Sequence, residues 1–111
     1  MKNYWVYILA SKKDGALYVG VTSDLLGRVS QHRRGAFSGH TKKHHIHRLV
    51  WFEDFAEVDD ALNFEKRLKR WRRPWKDELI GKFNPGWIDL YGDLVSGGAC
   101  MARVIPDTAK Q

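Results

Sequence analysis

The sequence predicts an α+β domain, a small sheet flanked by helices, and three observations carry that prediction. Residues 4–10 and 17–21 are two apolar, aromatic runs joined by the turn signal Ser11-Lys12-Lys13-Asp14-Gly15. Residues 48–55 form a third run of strand-like composition. Residues 25–34 and 57–73 place their apolar side chains at helical spacing.

Residues 4–10 are apolar on both alternating faces, which suits a central strand covered on two sides. Asp14-Gly15 supplies the positive φ values of a tight hairpin turn. With those two as the turn, Lys13 faces Ala16 and Ser11 faces Tyr18. Tyr18 then has the parity of Tyr7, and both phenols leave the same face. A single bulge would invert that parity. Gly20 marks a tight strand exit, and Thr22, Ser23 and Asp24 offer an N-cap to the first helix. On that helix Leu25, Val29, His32 and Ala36 share the apolar face, with Arg28 at its edge one turn before His32.

Residues 35–47 read as a loop, punctuated by Gly35, Ser38 and Gly39 and charged by Lys42 and Lys43. It is a candidate phosphate-contacting loop. His40, His44, His45 and His47 lack the cysteine or carboxylate partners of a closed metal site, so titratable nucleic-acid contacts suit them better.

The second helix opens with acids (Glu57, Asp59, Asp60) and closes with bases (Lys69, Arg70, Arg72, Arg73), as the macrodipole favours. Pro74 is expected to end it. Projected at about 100° per residue, Trp71, Phe64, Leu68, Ala61, Val58 and Leu62 form one apolar arc, and Glu65 falls inside it. An unpaired buried carboxylate is strongly unfavourable, so Glu65 needs a cation, a donor or water. A structural salt bridge, to Arg28 or another base, and a metal-ligand role both answer that need. Residues 75–83 read as a short further helix, Asn84-Pro85-Gly86 as a breaker, and residues 87–91 as an irregular or short helical cap. Trp71, Trp75 and Trp87 offer either core packing or base stacking. The expected organisation is one domain over residues 1–92 and a loose tail over 93–111, which contains Gly97-Gly98.

The charge of this 111-residue chain is uneven as well as positive. Residues 1–76 hold 16 Lys and Arg against 8 Asp and Glu, whereas the rest hold 3 against 5. Residues 25–52 contain no acid and all five histidines. Such a distribution points to a polyanion-facing surface. The lone Cys100 excludes an internal disulfide, and no cysteine spacing suggests a zinc module. No apolar signal core follows Met1, and no apolar run approaches the ~20 residues of a membrane span. The cytoplasm is the expected location, with no membrane partner.

With Val6-Tyr7, Tyr18-Val19-Gly20, Arg28, His32 and Glu65 in hand, the chain resembles the GIY-YIG nuclease superfamily, in particular its small stand-alone bacterial members of URI-domain type. Ten residues separate the two tyrosines, Arg28 follows Tyr18 by ten, and His32 follows Arg28 by four. Trp5 stands where that superfamily has the first glycine of its motif. Asn84 matches its late asparagine less specifically, and Gly20 and Asn84 are taken as structural motif positions. The resemblance covers roughly residues 4–90 and implies a three-stranded antiparallel sheet with flanking helices.

It also implies hydrolysis of a DNA phosphodiester with one divalent cation, Mg²⁺ or Mn²⁺, held by Glu65. On that reading Tyr7, Tyr18, Arg28, His32 and Glu65 are the catalytic group. Arg28 meets the scissile phosphate, Tyr7 positions or deprotonates the attacking water through a phenol whose pKa nearby cations lower, and Tyr18 and His32 orient that water or a phosphate, either able to exchange roles with Tyr7. Lys12, Lys13, Arg33, Arg34, Lys42, Lys43 and Arg48 are the expected DNA contacts. The expected activity has low sequence specificity, since the chain lacks extra DNA-binding and zinc modules, and acts on structured or damaged DNA in repair or recombination. The alternative is a noncatalytic nucleic-acid-binding module that uses the same cleft.

Overall fold

The computed structural model describes residues 3–34 and 46–96. Three strands form one antiparallel sheet, with β1 (Tyr4–Ala10) between β2 (Leu17–Thr22) and β3 (Arg48–Phe55). Among the described residues the helices are α1 (Leu25–Arg33), α2 (Val58–Arg70), α3 (Arg73–Phe83) and α4 (Tyr91–Ser96). The central place of β1 explains its lack of a polar face. Val6, Ile8 and Ala10 enter a core with Ala61 and Leu68 of α2 and Ile80 of α3. Tyr7 and Leu9 enter a second core with Leu25 and Val29 of α1, Ile46 and Leu90.

The hairpin register differs from the expected one. Ser11 N–H donates to the Ala16 carbonyl at 3.0 Å, and Tyr18 stands opposite Leu9, not Ser11. The loop therefore comprises Lys12, Lys13, Asp14 and Gly15, closed by Gly15 N–H donating to the Lys12 carbonyl at 2.9 Å. Asp14 does take a positive φ of 62°, but as one residue of a longer turn. The slip is an even number of residues, so the shared face of Tyr7 and Tyr18 survives it. The sheet's irregularity lies on the other side, between Ile8 and Leu9 against β3. There Ile8 pairs with Trp51 and Leu9 with Leu49, which leaves Val50 extra, and Val50 and Trp51 both enter the α2-side core.

The second helix also departs from expectation. It stops at Trp71, whose ψ of 146° is extended, and Arg72 is extended as well. Pro74 does not end that helix; it sits in the first turn of α3, where its missing N–H leaves no intrahelical bond unmade. The buried stripe is narrower than the projected arc, because Ala61, Glu65 and Leu68 are buried while Val58 and Leu62 are 40% and 38% exposed. A helix on the flank of a small sheet covers it with only part of its circumference.

Asn84 organises the segment after α3. Its Nδ2 donates to the carbonyls of Val50 at 3.2 Å and Ile88 at 2.8 Å, and its Oδ1 accepts from Ile88 N–H at 3.1 Å. These bonds hold Trp87 at a φ of 54°, a left-handed conformation that costs a bulky residue roughly 1–3 kcal/mol. Burial of the Trp87 indole in the core offsets that strain. The last described helix passes the domain limit expected at residue 92, and the rest of the tail lies outside the described residues.

Candidate active site

Tyr7 and Tyr18 leave the face of the sheet that α1 covers, and His32 on α1 meets them. The Tyr7 Oη and His32 Nε2 are 3.3 Å apart, both buried. The Tyr18 ring lies 5.1 Å from the imidazole and 6.3 Å from the Tyr7 ring, so the three form a triangle. Gly20 makes room for it. A Cβ there would lie 2.5 Å from Tyr7 Cζ and Oη, so only a residue without a side chain lets the phenol lie across β2. The helix that presents His32 is started by Asp24, whose carboxylate accepts from Gly27 N–H at 3.1 Å. Arg28, half-buried one turn before His32, acts electrostatically on both Tyr7 and His32.

Glu65 arrives from α2, which packs against β1 and β2. It is only 8% exposed, between the buried Ala61 and Leu68. The partner that its burial demands is Lys69, one turn on, whose Nζ is 2.5 Å from the carboxylate. Sequence reasoning misses Lys69 as that partner, although an i,i+4 Glu–Lys pair is a readable signal. The Glu65 charge nonetheless reaches the Tyr7 phenol and raises its pKa.

The protein's own groups do not acidify the phenol of Tyr7. Burial, then Tyr18 and Glu65, push its pKa well above the ordinary tyrosine range, and Arg28 opposes them only in part. The imidazole of His32 shifts the other way: burial first, then Arg28, lower its pKa. At neutral pH the pair is therefore a neutral phenol beside a neutral imidazole, with one hydrogen between them.

A hard divalent cation fits this donor set in one form only. Among the described residues no group of three or more His, Cys, Asp or Glu could cage a metal. Among the described residues Glu65 is the one carboxylate whose charge reaches the phenol, so an ion there would keep waters and take substrate oxygens as its other ligands, as Mg²⁺ does. Lys69, half-exposed, pairs with that carboxylate.

The basic residues expected at DNA sort themselves by partner. Arg33 is paired with Asp89 and lies 4.5 Å over the Tyr91 ring, so it ties α1 to the C-terminal segment. Asp89, which no sequence signal marks, also accepts from Leu49 N–H at 3.2 Å and Tyr91 N–H at 3.1 Å. Arg48 donates to the Trp87 carbonyl at 3.1 Å. Arg34 is exposed and bonds Ser30 Oγ at 3.0 Å, while Lys12 and Lys13 stand exposed on the hairpin turn. Lys42 and Lys43 lie outside the described residues. Asn84 is structural, and no described helix is long and apolar enough to cross a membrane.

Residues 3–78 match the GIY-YIG catalytic domain. Relatives include a UPF0213 protein of Streptococcus pneumoniae, 31% identical over 70% of this chain and 78% of its own length. A UPF0213 protein of Staphylococcus aureus is 35% identical over 72% of this chain and 96% of its own length. A solution NMR structure of a UPF0213 protein from Bacillus halodurans, 33% identical, covers 71% of this chain and 83% of that one with a TM-score of 0.45. The family match runs from β1 through the Tyr7–His32 pair to the Glu65 turn of α2 and into α3, and by it this chain belongs to the GIY-YIG catalytic-domain family.

Proposed function

We propose that this protein is an endonuclease that hydrolyses DNA phosphodiesters with a divalent cation, Mg²⁺ or Mn²⁺, and low sequence specificity. One observation carries the reading. A nearly buried carboxylate on an otherwise apolar helix stripe lies close enough to act on a phenol–imidazole pair presented by other elements. Core packing alone does not require that acid at that place.

A cation held by Glu65 would supply charge neutralisation at the phosphoryl and leaving oxygens. This chain's own residues do the rest. Arg28 donates in bidentate fashion to the scissile phosphate. The neutral Tyr7 phenol gives its proton to His32 Nε2 while its oxygen takes one from the attacking water, so no free phenolate forms. A histidine with a lowered pKa is unprotonated at neutral pH and available for that transfer. Tyr18 flanks the imidazole and fixes its ring plane. Branched, damaged or single-stranded DNA, of the kinds met in repair and recombination, is the proposed substrate range.

The Glu65–Lys69 ion pair favours a second reading, a noncatalytic binding module in which that acid is purely structural. One experiment separates them: purified protein with duplex, nicked, flap and junction DNA in Mg²⁺ or Mn²⁺, and Glu65→Gln as control. The nuclease reading expects cleavage by the wild type and none by the variant, with DNA binding retained. No cleavage of any substrate, or equal cleavage by the variant, removes it. A pure binding module would instead show steep salt dependence and indifference to Mg²⁺.

A further inference from the structure

The three tryptophans near the ends of α2 and α3 have separate fates. Trp87 is 3% exposed and belongs to the core, and Trp71 is half-buried with its ring edge-on to Phe64. Trp75, in the first turn of α3, is 56% exposed. Its ring meets Trp71 edge-on at 6.3 Å and 84°, which leaves the indole largely in water. A lone exposed apolar side chain is ordinary. The surroundings of this one are cationic.

Those cations lead back to Glu65. Arg73 Nη2 donates to the Gly15 carbonyl at 2.6 Å and so fastens the Lys12–Lys13 turn beside the start of α3. Lys76 Nζ donates to the Lys69 carbonyl at 3.4 Å, and Lys69 in turn pairs with Glu65. Asp77 takes Arg73 at 2.7 Å and Asp14 takes Lys13 at 3.5 Å. No acid among the described residues pairs with Lys12, Arg72 or Lys76. Burial and then the Arg73 charge lower the pKa of Lys76. Contacts thus run from the candidate metal carboxylate through Lys69 to Lys76, the chain neighbour of the exposed indole, and no acid among the described residues offsets the charge of Lys76 or Arg72.

An exposed indole bordered by cations matches one polyanion better than others. In a single strand each base has an accessible π-face and each phosphate a charge, so ring and cations are satisfied together. A duplex hides its base faces in the stack. An acidic peptide would meet the cations and leave the indole unused. We propose that Trp75 is a stacking platform for an unpaired nucleobase, so that this protein prefers DNA with a single-stranded segment beside the phosphate bound at Glu65 and Arg28. The inference rests on the nucleic-acid reading of that site and deepens it by naming the substrate class.

The test compares binding of a fluorescently labelled oligo-dT strand and a duplex of equal length to the 111-residue chain, with EDTA present so that nothing is cut. The wild type is expected to bind the strand more tightly. Trp75→Ala should weaken strand binding about tenfold while leaving duplex affinity within about twofold, and Trp75→Phe should restore most of the loss. Strand should also quench wild-type tryptophan fluorescence more than that of Trp75→Phe. Unchanged strand affinity in Trp75→Ala, equal losses on strand and duplex, or no strand binding by the wild type overturns the proposal. The nuclease reading is scored separately in Mg²⁺. A Trp75-dependent strand preference without cleavage removes the nuclease and keeps the platform; cleavage without that preference does the reverse.

Discussion

Gly20 stands directly opposite Tyr7 in the β1–β2 ladder, and a methyl group at Gly20 would lie 2.5 Å from the phenol's Cζ and Oη. The glycine is thus a steric requirement of the site, and it lies inside β2, not at the strand exit expected there. It lets the Tyr7 ring lie across β2, where His32 and the charge of Glu65 both reach it.

Gly20→Ala should therefore displace Tyr7. We expect a loss of roughly 1–3 kcal/mol in denaturant unfolding, typical of overpacking, and a larger fractional loss of cleavage than of DNA affinity. The same substitution in a Tyr7→Ala background should cost clearly less, because the clash is with that ring. Equal costs in the two backgrounds would place the strain elsewhere.

Lys69→Ala leaves the Glu65 carboxylate buried without its ion pair. The variant should be less stable than the wild type in EDTA, since removing one partner exposes the desolvation cost of the other. Mg²⁺ or Mn²⁺ should raise its melting temperature more than that of the wild type, and should do so only while Glu65 is present. A Lys69→Ala/Glu65→Gln double variant that responds to the ion equally would rule out Glu65 as its ligand.

The raised pKa of Tyr7 has a defined sign. The folded state holds the phenolic proton above the ordinary value of 10.0, so Tyr7's contribution to stability is complete below that pH and is lost as pH rises. Tyr7 should stay un-ionised in ultraviolet titration until alkaline unfolding. Tyr7→Phe should move that unfolding to higher pH. Ionisation of Tyr7 near pH 10 in the folded protein would contradict the burial effect.

For His32 the sign is reversed. Its folded pKa lies below 6.5, so the unfolded state takes up the proton first, and the associated stability is present above pH 6.5 and declines as pH falls toward the folded value. NMR titration should show the His32 ring protonating below pH 6.5, and His32→Gln should reduce the acid sensitivity of folding. Cleavage should fall as His32 protonates, since the imidazolium has no site for the phenol's proton. A His32 resonance titrating above 6.5 would refute the assignment.

Arg33 and Arg34 should separate in a substitution test. Arg33→Ala breaks the contacts to Asp89 and Tyr91 and should lower stability with little specific effect on DNA affinity. Arg34→Ala should leave thermal unfolding nearly unchanged and weaken DNA binding with a shallower salt slope. The reverse pattern would return Arg33 to the DNA surface.

Much of this molecule is legible in the linear order of residues. The three strands, the start of α1 at its Asp24 cap, the shared face of Tyr7 and Tyr18, and the burial of Glu65 all come from short-range rules. Alternation has period two, helical stripes repeat every three to four residues, and a cap acts within one turn. These periods are properties of neighbouring residues and need no knowledge of the rest of the chain. Even the slipped hairpin register leaves the tyrosines on one face, because an even slip preserves parity.

Other features depend on groups distant in sequence, and there the three-dimensional packing rules. The Tyr7 phenol reads as acidifiable by nearby cations, but among the protein's own groups burial, Tyr18 and Glu65 outweigh Arg28. Arg33 reads as a DNA contact, and the fold brings Asp89, from far along the chain, against it. Pro74 suits equally the end of one helix or the first turn of the next, and the extended backbone at Trp71 and Arg72 settles which. Only packing divides three similar tryptophans into a core residue, a half-buried one and the exposed Trp75. Periodicity says which side of an element a residue occupies; desolvation and pairing are set by the groups that the fold brings opposite it.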